Sequence, residues 1–155
     1  MARGFRGYRR GAINADPKVL KLFWDGEVSG VTWNYNRKLP DSDSRESHSI
    51  NTGEIKMSTS GYYAEIQYYL QVDFTKYSKL CINVTKSTGV SGGRKVGYGT
   101  NTNLGGQFTK SVNASVTLIE IDVSSLTGLY YIKLWITSGN RVGASMNISR
   151  VWLEK

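Results

Sequence analysis

A chain of 155 residues with 39% hydrophobic residues has the size of one domain, and such a domain buries roughly 68–70% of its extended-chain surface, so no second domain is needed to complete a core. Seventeen glycines against two prolines suit many tight turns between short strands. The net charge of +8 favours an acidic partner such as nucleic acid, an anionic glycan or an acidic protein face. The single cysteine, Cys81, excludes an internal disulfide and a cysteine-based zinc site and is expected as a buried thiol. No stretch approaches the roughly 20 apolar residues of a membrane helix, and the start of the chain has charge without an apolar h-region. The sequons at Asn83, Asn113 and Asn147 therefore carry little weight.

Residues 1–17 interleave Arg3, Arg6, Arg9 and Arg10 with glycine, Phe5 and Tyr8 and show neither helical nor strand period. They are expected to form a disordered or extended basic arm carrying +3, followed by one domain over residues 18–155 carrying +5. Strands are expected from Lys18 to Trp24 and near Val31 to Tyr35, and the polar stretch from Asn36 to Thr52 reads as a long exposed loop. Glu54 to Ser58 is a short candidate. In Tyr62 to Val72 the residues Tyr62, Ala64, Ile66, Tyr68, Leu70 and Val72 share one face, leaving Tyr63, Glu65, Gln67, Tyr69 and Gln71 on the other.

Lys79 to Lys86 repeats the alternation with Leu80, Ile82 and Val84 inward, and Lys95 to Thr100 is a weaker strand among glycine-rich loops. From Val116, Thr117, Ile119, Ile121 and Val123 alternate with Leu118, Glu120 and Asp122. In Leu129 to Thr137 the residues Tyr130, Ile132, Leu134 and Ile136 face the core, and Tyr131, Lys133, Trp135 and Thr137 face outward; Met146 to Glu154 closes the domain. Eight or nine strands without an amphipathic helix predict an all-β fold, a two-sheet antiparallel sandwich of jelly-roll type, because one open sheet would leave its apolar face uncovered.

The residues that carry catalysis elsewhere are sparse. His48 is the only histidine and is read as a solvated loop residue. Glu65, Glu120 and Asp122 are candidate glycosidase carboxylates, equally explained as polar members of alternating strands. Asp41, Asp43 and Glu46 form a weak calcium candidate without the glycine and terminal glutamate of a helix-loop-helix calcium site. No enzyme and no cofactor is expected. The outward Tyr63, Tyr69, Tyr131, Lys133 and Trp135 offer rings and polar groups to a subunit, to neighbouring strands or to a glycan. Trp24, Trp33 and Trp152 read as core or rim residues. The arm residues Arg3, Phe5, Arg6, Tyr8, Arg9 and Arg10 suit protein docking, nucleic-acid contact or a solubilising tail.

The segment TLIEIDVSSLTGLYYIKLWITSGN, residues 117–140, resembles the closing strands of jelly-roll domains in phage and prophage virion structural proteins of gut bacteria. VDFTKYSKLCINVT, residues 72–85, matches their habit of a strand running into a phrase of the type D-x-T-x-Y-S-K-L, and LKLFWDGEVSGVTW, residues 20–33, is similar to their start with several departures. The resemblance spans residues 20–155. It implies a non-enzymatic virion accessory protein of tail-fibre, receptor-binding or head-decoration type, assembled in the host bacterial cytoplasm. It also implies docking to other virion proteins through the arm, homo-oligomers, and possible adhesion to host-surface glycans. A small coat protein with a nucleic-acid-binding arm, or a carbohydrate-binding module, are the alternatives.

Overall fold

The computed structural model describes residues 18–51 and 53–155. The arm residues expected to dock, Arg3 to Arg10, lie outside the described residues. Eleven strands and no helix occur among the described residues: β1 Val19–Trp24, β2 Asn34–Lys38, β3 Arg45–Ile50, β4 Ile55–Ser60, β5 Glu65–Asp73, β6 Lys79–Thr88, β7 Arg94–Gly99, β8 Lys110–Ser111, β9 Leu118–Asp122, β10 Leu129–Thr137 and β11 Ala144–Glu154.

All strand pairings among the described residues are antiparallel and form two sheets. One has the order β3-β4-β11-β6-β9, with β1 also paired to β11; the other has the order β2-β5-β10-β7-β8. Successive strands commonly switch sheets, so each sheet's apolar face is covered by strands adjacent in the chain. The core lies between them, with Phe23, Ile66, Leu80, Ile82, Ile132, Leu134, Ile136, Met146, Val151 and Leu153 fully buried. Each such side chain contributes about 1.5–3 kcal/mol relative to exposure. The expected all-β sandwich is the fold observed.

Alternation explains most of these strands, and bulges explain where it slips. In β11, Met146 and Ile148 face inward and so do Val151 and Leu153, a change of parity that register shifts between Asn147 and Arg150 accommodate. The stretch from Asn36 to Thr52 is not one long loop: β2 occupies its start and β3 most of its second half. Both are edge strands with few apolar residues, so their sequence lacks the alternation that marks half-buried strands. Cys81, on an outward position of β6, is fully buried between Trp152 and Glu120 on the flanking strands, in line with its expected burial.

Candidate functional site

Register sets the outward face of the five-stranded sheet in rows. Asn36, Gln67, Trp135 and Lys95 form one row; Asn34, Tyr69, Lys133 and Gly97 form the next; Gln71, Tyr131 and Gly99 form the third. Side chains opposite one another on neighbouring antiparallel strands lie within contact reach, so each row is a continuous strip of chemistry.

Residues 100–109, TNTNLGGQFT, connect β7 to β8 by strapping back over this face. Two glycines permit the approach: a Cβ on Gly97 would come within 2.6 Å of the Thr109 backbone nitrogen, and one on Gly99 within 2.6 Å of Gln107 Oε1. The strap is tied from below. Asn36 Nδ2 and Gln67 Nε2 donate to the Thr102 carbonyl at 2.8 and 3.1 Å, and Lys133 Nζ donates to the Asn103 carbonyl at 2.9 Å. The Gln107 amide closes the strap's neck, accepting from Thr100 N at 2.6 Å and donating to Thr100 Oγ1 at 3.0 Å. Phe108 places its ring 5.7 Å from that of Trp135.

The strap corrects the expectation for two residues. Lys133 and Trp135 do face outward from β10, yet Lys133 is 0% and Trp135 8% exposed, and Gln67 is 0% exposed, because the strap covers them. Among the described residues Lys133 donates to Asn101 Oδ1 and the Asn103 carbonyl and to no carboxylate, and burial holds its ammonium below the usual lysine value. Tyr69 and Tyr131 remain half-buried outside the strap, edge to face with ring centroids 6.0 Å apart, beside the exposed Asn34 and Gln71. This is the open half of the face.

Tyr63 is not part of it. It precedes β5 in a left-handed backbone conformation, φ 42°, and packs edge to face on Tyr62, 45% exposed; Tyr62, expected on the inward face, also lies ahead of the strand and is 40% exposed. The remaining candidates disperse. Asp41 accepts from the Asp43 amide, Asp43 pairs with Arg141 at 3.5 Å, and Glu46 pairs with Arg37 at 2.6 Å, so the three proposed calcium ligands are directed at other partners. No group of three His, Cys, Asp or Glu suited to a metal occurs among the described residues. Glu65 lies on the five-stranded sheet, where burial pushes its carboxyl up against the opposing pull of Lys38, whereas Glu120 and Asp122 lie on β9 of the other sheet. His48 is not a loop residue: it sits in β3, stacked on Tyr35 with its Nδ1 2.7 Å from the Tyr68 hydroxyl.

A second aromatic pair, Trp24 and Trp152 at 5.5 Å, lies on the outward face of the six-stranded sheet. Its Trp24 ring is already taken, with Lys21 Nζ at 4.4 Å and the Arg150 guanidinium at 4.5 Å, and Arg150 is bidentate on Asp25. The five-stranded face thus offers the freer rings. Sequence reasoning missed the part played there by Asn34, Asn36 and the whole strap. The available signal was the pair Gly97 and Gly99, two apart on a strand, which marks a face approached closely by another backbone.

No family model and no curated protein matches this sequence. Among solved structures the fold is similar to that of a family 11 carbohydrate-binding module from Clostridium thermocellum, determined in complex with a β-1,3-1,4-mixed-linked tetrasaccharide. The TM-score is 0.55 at 16% identity, over 86% of this chain and 95% of that one. At this identity the likeness establishes a shared fold.

Proposed function

We propose that this protein is a non-catalytic glycan-binding module that receives sugar rings on the open half of its five-stranded sheet. One observation carries the reading: Tyr69 and Tyr131 stand together, partly exposed, on the five-stranded sheet with the amide side chains of Asn34 and Gln71 beside them. A pyranose has apolar C–H faces and a rim of hydroxyls, so it needs rings to stack on and short polar groups at the edge of those rings. A shared fold with a module solved on a glucan supports the choice of ligand class.

Affinity electrophoresis in gels containing mixed-linked β-glucan, xylan or alginate tests the proposal. Retention in at least one gel is expected. Tyr131→Ala and Tyr69→Ala should each weaken it roughly tenfold, the order of one lost ring contact, while Trp152→Ala on the opposite sheet should retain it. Equal mobility of wild type in all gels, or retention indifferent to both tyrosines, would sink the proposal.

The virion setting implied by the sequence motifs is proposed as the context of this binding, with residues 1–17 as the attachment to other virion proteins. Several copies on one particle would raise avidity well beyond that of a single weak site.

A further inference from the structure

Beneath the strap two complementary polar atoms stand unpaired. Gln67 and Trp135 are directly opposite in the β5–β10 pairing, both are more than nine-tenths buried, and both Gln67 Oε1 and Trp135 Nε1 lack a hydrogen-bond partner among the described residues. One is an acceptor and the other a donor. A buried polar atom without a partner costs on the order of 1–3 kcal/mol, so two of them on directly opposed residues of the sheet call for an occupant. A hydroxyl group both donates and accepts, and so offers each atom the kind of bond it lacks.

The strap's own contacts have the form of ligand contacts. Its carbonyls at Thr102 and Asn103 take the hydrogen bonds of Asn36, Gln67 and Lys133. Its backbone at Gly105 lies so near the indole that a Cβ there would stand 3.7 Å from the ring, and Phe108 packs against the same side chain. A sugar would supply the same elements: oxygen acceptors for the three donors, an apolar face for Trp135, and in addition hydroxyls for the two unpaired atoms. The strap fills the row while leaving it polar and unsatisfied.

We infer that Asn36, Gln67, Lys133 and Trp135 form a second glycan subsite, continuous with the Tyr69–Tyr131 platform, which residues 100–109 occupy in the free protein and which a longer glycan takes by displacing them. The inference rests on the glycan-binding reading above and extends it from the open half of the face to the covered half. Displacement exchanges the strap's hydrogen bonds for the ligand's and adds the two that the strap leaves unmade. The affinity observed is then the intrinsic affinity reduced by the fraction of molecules with the strap lifted.

The test uses soluble mixed-linked β-glucan as probe, with wild type, Gln107→Ala, Gln107→Ala/Trp135→Ala and Tyr131→Ala. Gln107→Ala cuts the neck of the strap and is expected to raise affinity several-fold by enlarging the lifted fraction; adding Trp135→Ala should abolish the gain. Hydrogen exchange on the wild type gives a second readout that needs no variant: glycan should speed exchange in residues 100–109 while slowing it in residues 131–135. If Tyr131→Ala loses binding but Gln107→Ala matches wild type, or if glycan slows exchange in both segments, the strap is a fixed wall and the subsite is overturned. If wild type and Gln107→Ala both fail to bind this probe and every gel polysaccharide, the parent reading itself fails and takes the subsite with it.

Discussion

His48 lies flat against Tyr35, with ring centroids 3.8 Å apart and planes within 16° of parallel. The two residues belong to different sheets, β3 and β2, so the stack joins the two layers along one edge of the sandwich. The Arg37–Glu46 ion pair lies two residues along on the same strands, and Tyr68 of β5 reaches the imidazole from below. The lone histidine is thus a joint between layers.

Replacing His48 by alanine removes one aromatic pair and one hydrogen bond. The expected loss is about 1–3 kcal/mol, read as a lower urea midpoint with an unchanged m-value. His48→Phe keeps a ring without the bond to Tyr68 and should fall between the two. An alanine variant as stable as wild type would mean that the edge is held elsewhere.

Alkali should loosen the same edge. Burial pushes the hydroxyls of Tyr35 and Tyr68 up to about 12, against an ordinary value of 10. Between those values the unfolded chain has released protons that the folded protein still holds, so stability is intact below pH 10 and falls as pH rises toward 12. Urea denaturation at pH 9 and pH 11 reads the fall, and Tyr68→Phe should reduce it. A slope identical in wild type and Tyr68→Phe would contradict the assignment.

Cys81 should be chemically silent in the folded protein. Burial, reinforced by the nearby carboxylates of Glu154 and Glu120, pushes its thiol up to about 12. Thiolate is the reactive form. At pH 8 a disulfide reagent such as DTNB should leave the native thiol unmodified over hours and titrate it within minutes in denaturant. Rapid modification of native protein would show that the outward side of β6 opens.

Gly97→Ala should cost about 1–3 kcal/mol, because the added methyl meets the Thr109 backbone and the strap must move away. Thermal unfolding measures the loss, and the fluorescence of Trp135 should report the displaced Phe108. An unchanged Tm together with an unchanged spectrum would show that the strap does not depend on the missing side chain.

In β10, Leu134→Ala should destabilise by about 2–5 kcal/mol, since Leu134 is fully buried between the sheets. Leu129→Ala at the start of the same strand, where the side chain is 62% exposed, should stay within about 0.5 kcal/mol. Equal effects would contradict the placement of the core.

The sequence by itself determined the sandwich and, in four of its strands, which face each side chain takes. In β5, β6, β9 and β10 the apolar residues recur at every second position, and period two is a local property that assigns each side chain to one face whatever the partner strand. The outward direction of Tyr69, Tyr131, Lys133 and Trp135 follows from it. Only the tertiary structure decided which of those outward groups meets solvent. β2 and β3 escaped the alternation because edge strands of polar residues take their conformation from the ladder beside them. Tyr63 left the face because the chain turns before β5 begins. Lys133 and Trp135 were covered because Gly97 and Gly99, on a neighbouring strand far away in the chain, leave room for residues 100–109. A side chain's face is set by its own backbone, whereas its exposure is set by whatever else packs there, and the alternation of its own strand does not encode that.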